Sequence, residues 1–481
     1  MRPEPGSARP NGVSSLTGIH RRRLPRSRVA TGRPLGVALV LLAALWLVTL
    51  FDPQWLLAAR GFRAGLKLPV FLFLGLVATL ALSAFTVKDF GRRWTWYPPL
   101  LCFIAVAIAS SAFTLNLGRS RDAVQVMLLY WVLVVGTVVL VDSARRAEQL
   151  VLAYGLQFIW WGVWGSTTGL VFWHPALANL DGFGAWMVIG GGLCSFLILA
   201  SDNKWLRRAL MLAVALCAVG VVASFARGAF LAAVAVLGVV WLRSPRKGRA
   251  FGWGLTCAAL FATAASVLYG DAYWAEMATI FQGTSEETGE DRWVMWQAAW
   301  EIFLARPILG AGPENWGVYA ATYFRPGDVG GVYAFNPGML YGRQLHSSYF
   351  QTLAELGILG VMSLAWIFWD FWRRNAALRS ARAAEVWKAL GGRLALRPIA
   401  LGLEAALVGW MAVAAFYSLA GTHWLYTILA LNLLIHSLVS RAIANTTHRS
   451  TRTIRRPLTA PSSVGVSPAP TAAGSGSAPP V

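Results

Sequence analysis

Two arginines and one histidine stand out as residues that could do chemistry together: Arg227 in "ASFARGAFLA", Arg292 in "GEDRWVMW" and His346 in "LHSSYFQTLAELGILG". Guanidinium groups bind phosphate through planar, permanently charged forks. A neutral imidazole takes a proton from a hydroxyl at physiological pH. His346 opens an apolar segment, at the turn where the positive end of a helix disfavours imidazolium. Partial burial pushes the same way. Each residue alone has a plainer reading. Arg227 has apolar sequence on both sides, and serves either as an arginine snorkelling to the headgroups or as an anion site beside Gly228. Arg292 either joins the N-terminus of the helix that Asp291 would cap to hold phosphate, or balances Glu286, Glu287, Glu290 and Asp291. His346 either caps its own helix or acts as a base.

The elements that must position them are read from hydropathy. The 481 residues are 57% hydrophobic and 13% charged, with mean hydropathy +0.55; a soluble chain of this length carries about twice that charged fraction. Apolar stretches long enough to cross a bilayer recur. They predict an all-α polytopic membrane protein with about twelve spans, near 36–51, 65–86, 96–115, 123–141, 150–172, 184–200, 207–224, 228–242, 251–269, 347–369, 399–418 and 423–440. Residues 1–35, with Arg21, Arg22, Arg23, Arg26 and Arg28, read as a basic disordered tail. The apolar run after it reads as an uncleaved first helix. Spans one to nine occupy 36–269, a large loop 270–345, spans ten to twelve 346–442, and a Ser/Pro/Ala/Gly-rich disordered tail 443–481.

The net charge of +21 sits at span ends, which is topology and not a nucleic-acid stripe. Loops rich in basic residues (Lys88, Arg92 and Arg93; Arg145 and Arg146; Arg243 to Arg249; Arg373 to Arg397) alternate with poorer ones (Arg60, Arg63, Arg119, Arg121, Arg227). The alternation places both termini in the cytoplasm and the 270–345 loop outside. Within that loop Trp293, Trp296, Trp300 and Phe303 recur at helical spacing, predicting an amphipathic helix at the outer membrane face, stopped by Pro307, Gly310 and Gly312. Cys102, Cys194, Cys217 and Cys257 all lie in apolar segments and read as small hydrophobes.

Taken together, Arg292, the run Pro307-Ile308-Leu309-Gly310-Ala311-Gly312, His346 and Glu355-Leu356-Gly357-Ile358-Leu359-Gly360 resemble the O-antigen ligase and polymerase superfamily of bacterial envelopes. "ARGAFLA" resembles that superfamily's Ser-Arg-Gly-Ala hairpin. The resemblance covers residues 220–362. Ala226 departs from it where Ser is common, and Ser347 where Asn is common. The resemblance implies a GT-C-like glycosyltransferase of the bacterial inner membrane, with its active site facing the periplasm. The donor would be a polyprenyl-diphosphate-linked glycan and the acceptor a hydroxyl of a glycolipid, such as lipid A core, or of another glycan. His346 would be the general base, and Arg227 and Arg292 would hold the donor diphosphate. Trp293, Trp296, Trp316 and Tyr319 could stack on sugars or belong to an interfacial belt. Transfer would invert the anomeric centre. No nucleotide, other cofactor or metal is implied, and no Gly-x-x-x-x-Gly-Lys phosphate loop occurs. A ligase is favoured over a repeat-unit polymerase. A polytopic transporter is the rival from another class; it would need ionisable sites near the bilayer middle, and Glu404 lies near a span end.

Overall fold

The computed structural model describes residues 33–51, 68–86, 96–174, 176–244, 247–285, 287–419 and 422–454. Of the expected tails 1–35 and 443–481, residues 1–32 and 455–481 lie outside these residues, as do Arg60, Arg63, Lys88, Arg92, Arg93 and Glu286, whereas 33–35 and 443–454 are helical. The protein is all-helical, with no strand among the described residues.

Among the described residues fifteen α-helices follow one another: α1 (Arg33–Phe51), α2 (Leu68–Thr86), α3 (Pro98–Ser111), α4 (Leu117–Leu140), α5 (Ala144–Gly165), α6 (Leu180–Leu197), α7 (Lys204–Ala223), α8 (Arg227–Arg243), α9 (Lys247–Ala278), α10 (Glu287–Ala305), α11 (Trp316–Tyr323), α12 (Ser348–Leu378), α13 (Ala381–Ala389), α14 (Leu396–Ala414) and α15 (Trp424–Ile454). A helix stands at each of the twelve expected spans. Of these, six among the described residues are long and apolar enough to cross a bilayer: α4, α6, α7, α12, α14 and α15. The apolar parts of α1, α2 and α3 are shorter, and a count of twelve crossings is not established. Contacts divide the chain at Val439, and the described part of the second unit is the last stretch of α15, from Ser440.

Helix α6 is the centre of the bundle, packed against α7, α8 and α14. Its small residues let neighbours approach closely. A Cβ on Gly190 would meet the Phe158 ring at 2.2 Å, and one on Gly192 the Ala405 carbonyl oxygen at 3.0 Å. Asn179 caps its start, accepting from the Gly182 N–H.

The two ends of the bundle differ in chemistry. At one end the buried Glu404 of α14 gathers the last residue of α8 and the residue after α12: it accepts from Arg243 Nε at 2.6 Å and Arg379 Nη1 at 2.7 Å. The buried Glu148 accepts from Trp387 Nε1 and from the backbone N–H groups of Arg393 and Leu394 at 2.7 Å. These carboxylates are matched by cations or backbone donors, as buried charges must be. Arg227 and His346 stand at the opposite ends of α8 and α12, so two helices that share Glu404 at their finish deliver those residues to the other end together.

The segment between α9 and α12 carries its own core. Val294, Met295, Ala298, Ala299 and Ile302 of α10 pack with Trp316 and Ala320 of α11 and with Tyr333, Leu340 and Leu345. Helix α10 begins at Glu287, so Asp291 lies in its second turn and is not the N-cap that the sequence suggests. Three acidic or polar residues before Asp291 were free to extend the helix backward. Asp291 instead accepts a hydrogen bond from the Tyr333 hydroxyl at 3.2 Å.

Candidate functional site

The helix that follows His346 is not continuous. Gly357 inside α12 has φ +62°, and the chain steps sideways there before helix resumes. The broken turn leaves carbonyls and N–H groups without helical partners, and residues 307–312 supply them. Ala311 N–H donates to Ala354 O and Gly312 N–H to Glu355 O, each at 2.9 Å; Ile358 N–H donates to Pro307 O at 2.8 Å. The fit is tight, since a Cβ on Gly310 would lie 2.3 Å from the Glu355 carbonyl carbon. Ser110 of α3 adds a hydroxyl hydrogen bond to Glu355 O at 2.8 Å. The two glycine-bearing motifs of the sequence are thus the two halves of one clasp. It ties the chain leaving α10, whose second turn carries Arg292, to α12 about two turns beyond His346. The Glu355 carboxylate completes it by accepting from the Trp316 N–H and the Gln351 amide.

His346 occupies the residue before the N-cap Ser347 and has φ +53°, left-handed backbone that costs a non-glycine residue about 1 kcal/mol or more. Two contacts pin this turn. Ser348 Oγ donates to Tyr417 O at 2.9 Å and accepts from the Leu419 N–H at 2.8 Å, fixing α12 to the turn between α14 and α15. Trp296 Nε1 donates to Leu345 O at 3.0 Å, fixing it to α10. The His346 ring lies 6.5 Å from the Tyr417 ring, and its buried Nδ1 has no hydrogen-bond partner. Burial lowers the imidazole pKa below 6.5, and the nearby Arg292 guanidinium lowers it further; Asp181 opposes both.

Arg292 donates from Nη2 to Asp181 Oδ2 at 3.3 Å, with the two side chains 21% and 30% exposed. Arg292 and Asp181, the latter in the first turn of α6, therefore both lie close enough to His346 to act on its charge. Arg227 is the first residue of α8, whose N-cap Ala226 offers no side chain to the free N–H groups. Its Nη1 donates to Thr279 Oγ1 at 2.6 Å, and its Nε lies 3.5 Å from Glu276. The turn after α14 bridges the two arginines' surroundings. Phe416 packs on Gly228, and the adjacent Tyr417 hydroxyl accepts from Asn179 Nδ2 at 2.8 Å.

Of the expected sugar platforms, Trp293 is exposed, at 49%. The Trp296 ring is covered by a parallel stack with Phe350 at 5.2 Å. Trp316 is buried, donating from Nε1 to Arg343 O at 3.1 Å. Tyr319 stacks on Tyr323, with Arg306 4.8 Å over its ring. Among the described residues no three His, Cys, Asp or Glu side chains gather as metal ligands would. Sequence reading missed Asp181, which lies 111 residues from its arginine; its only local signal is that of a first-turn acid. Tyr417 and Ser348 were missed as well, since each works through a backbone group remote in sequence.

No curated protein matches the chain. Residues 212–365 match the model of the O-antigen ligase family. The matched segment begins in α7, includes Arg227, Arg292 and both halves of the clasp, and ends in α12 beyond His346. The match places an O-antigen ligase domain at residues 212–365 and supports the O-antigen ligase superfamily.

Proposed function

We propose that the protein is a multi-pass glycosyltransferase of the bacterial inner membrane, of the ligase type. It moves a glycan from a polyprenyl diphosphate to an acceptor hydroxyl on the periplasmic side. The observation that carries this reading is that Arg292 and Asp181 both lie close enough to His346 to act on its charge, at the end of the bundle where Arg227 opens α8.

The chemistry balances without another reagent. A His346 nitrogen takes the proton of the acceptor hydroxyl. The oxygen attacks the anomeric carbon from the face opposite the phosphate. The anomeric C–O bond breaks, and its electron pair leaves with the lipid diphosphate. Negative charge grows on that diphosphate, where guanidinium groups stabilise it most in a site of low dielectric. Arg292 supplies one fork; Arg227 and the uncapped N–H groups of α8 supply the second. The correction to the start of α10 changes Arg292's part: it acts by its guanidinium and not by a helix end. Burial and Arg292 keep His346 neutral before the reaction. Asp181 stabilises the imidazolium that forms, as a carboxylate beside a catalytic histidine does.

The test is transfer by full-length protein in lipid nanodiscs, with a polyprenyl-diphosphate-linked glycan as donor. His346→Ala and His346→Gln should lose about a hundredfold or more in kcat while inserting normally. Transfer at the wild-type rate by both variants would remove the base. Supplying lipid A core and, separately, a second lipid-linked repeat unit as acceptors tells ligase from polymerase.

A further inference from the structure

A cavity of about 370 Å³ opens next to His346, which is not itself in the wall. Its size is that of small-ligand sites, roughly 300–1,000 Å³. Two neighbours of His346 line it: Leu345, the preceding residue, and Tyr417, whose ring centre lies 6.5 Å from that of the imidazole. Arg119 from α4 and Arg343 from the loop before α12 enter from two further elements.

The wall is chemically specific. Arg119 and Arg343 bring two guanidinium groups, against the single carboxyl of Glu314. Among the described residues neither arginine makes an ion pair; Arg119 lies 5.2 Å over the Tyr341 ring and Arg343 5.9 Å over that of Tyr333. Both forks keep donors available. Gln351, 6% exposed, spends its amide N–H groups on Glu314 and Glu355, and its Oε1 is buried with no partner. The Ser418 hydroxyl, also in the wall, is buried without a partner. Buried polar atoms are normally satisfied, so two unpaired ones on residues of one cavity wall are the groups that a turn of either side chain would present to a ligand's hydroxyls. Trp316 adds an aromatic surface of the kind sugars pack against.

We infer that this cavity holds the acceptor's sugar residue and selects one bearing an anionic group, a phosphate ester or a carboxylate, through Arg119 and Arg343. Gln351 and Ser418 bind its hydroxyls, and the reacting hydroxyl faces His346. The inference rests on the transfer reading for the direction of reaction, but its binding claim can be tested without transfer.

Full-length protein in nanodiscs is titrated with glucose, glucose 6-phosphate, glucuronic acid and inorganic phosphate, with bound ligand measured directly. The two acidic sugars should bind about tenfold or more tightly than glucose, the worth of one charge-assisted hydrogen bond. Arg119→Gln and Arg343→Gln should erase that preference while leaving glucose binding as it was; Arg119→Lys should keep part of it. Gln351→Ala should weaken all three sugars. Loss of glucose binding in Arg119→Gln would mean a folding defect, and Arg343→Gln then carries the test. An undiminished preference in the arginine variants, or inorganic phosphate binding as well as glucose 6-phosphate, overturns the inference. Displacement of the sugar by farnesyl diphosphate also overturns it, by giving the cavity to the donor. If acidic sugars bind as expected but transfer ignores His346, the transfer reading fails and the pocket stands. If His346→Ala abolishes transfer and the arginine variants leave the preference intact, the pocket fails alone.

Discussion

The clasp between residues 307–312 and the broken turn of α12 makes the sharpest stability prediction, through Gly357→Ala. At φ +62° an alanine costs about 1–2 kcal/mol in backbone conformation alone. Its Cβ would also lie 2.5 Å from the Ile308 carbonyl carbon and 2.8 Å from the Leu309 nitrogen. Both neighbours are backbone and cannot rotate away, so the overlap adds roughly 1–3 kcal/mol. If relief comes by opening the clasp, hydrogen bonds of about 1 kcal/mol each are lost instead. The total is about 2–5 kcal/mol. Gly391 is the control: its φ is +86°, but nothing lies within 4 Å of its Cβ position, so Gly391→Ala should cost only the conformational 1–2 kcal/mol or so. The two variants are compared by tryptophan-fluorescence unfolding in nanodiscs and by transfer. Gly357→Ala should melt well below Gly391→Ala. It should also lose about a hundredfold in kcat, since a shift near 1 Å between Arg292 and His346 suffices for that. Equal melting of the two variants, with transfer intact in Gly357→Ala, would refute the clasp as the device that aligns them.

Three further outcomes are expected. Arg292→Lys should cut kcat/KM by about tenfold or more, because an ammonium cannot reproduce a bidentate fork; unchanged kinetics would leave Arg292 as a mere partner of Asp181. Transfer requires neutral His346, whose pKa lies below 6.5, so the acid limb of the pH profile should fall below pH 6.5 and move lower still in Asp181→Asn, which removes the larger of the two carboxylate charges that raise it, the other being Asp291; a limb above 6.5 would contradict this. Glu148→Ala leaves the Trp387 indole and two backbone N–H groups without their acceptor and should destabilise by about 3 kcal/mol or more while leaving the KM for donor unchanged.

The membrane class, the helix positions and the three candidate residues Arg227, Arg292 and His346 were legible in the sequence for a plain reason. Hydrophobic run length and residue chemistry are local properties, and a guanidinium or imidazole at the edge of an apolar segment is unusual wherever it occurs. Helix starts were less legible: acidic residues before Asp291 continue α10, and only packing against Tyr333 tells a capping carboxylate from one inside a helix. The two glycine motifs were visible as letters, yet Gly357 reads in sequence as a packing glycine. It is a break, because its partner carbonyls and N–H groups come from residues some fifty positions earlier. Asp181, Tyr417 and the cavity wall follow the same logic. Arg119, Glu314, Arg343 and Ser418 belong to four separate segments, and nothing along the chain relates them. What the sequence determined alone is which groups could react and which segments could enter a membrane. The tertiary structure decided which of those groups meet, because Glu404 joins α8 and α12 at one end, while the clasp and the Tyr417 turn fix the first turns of α12 at the other.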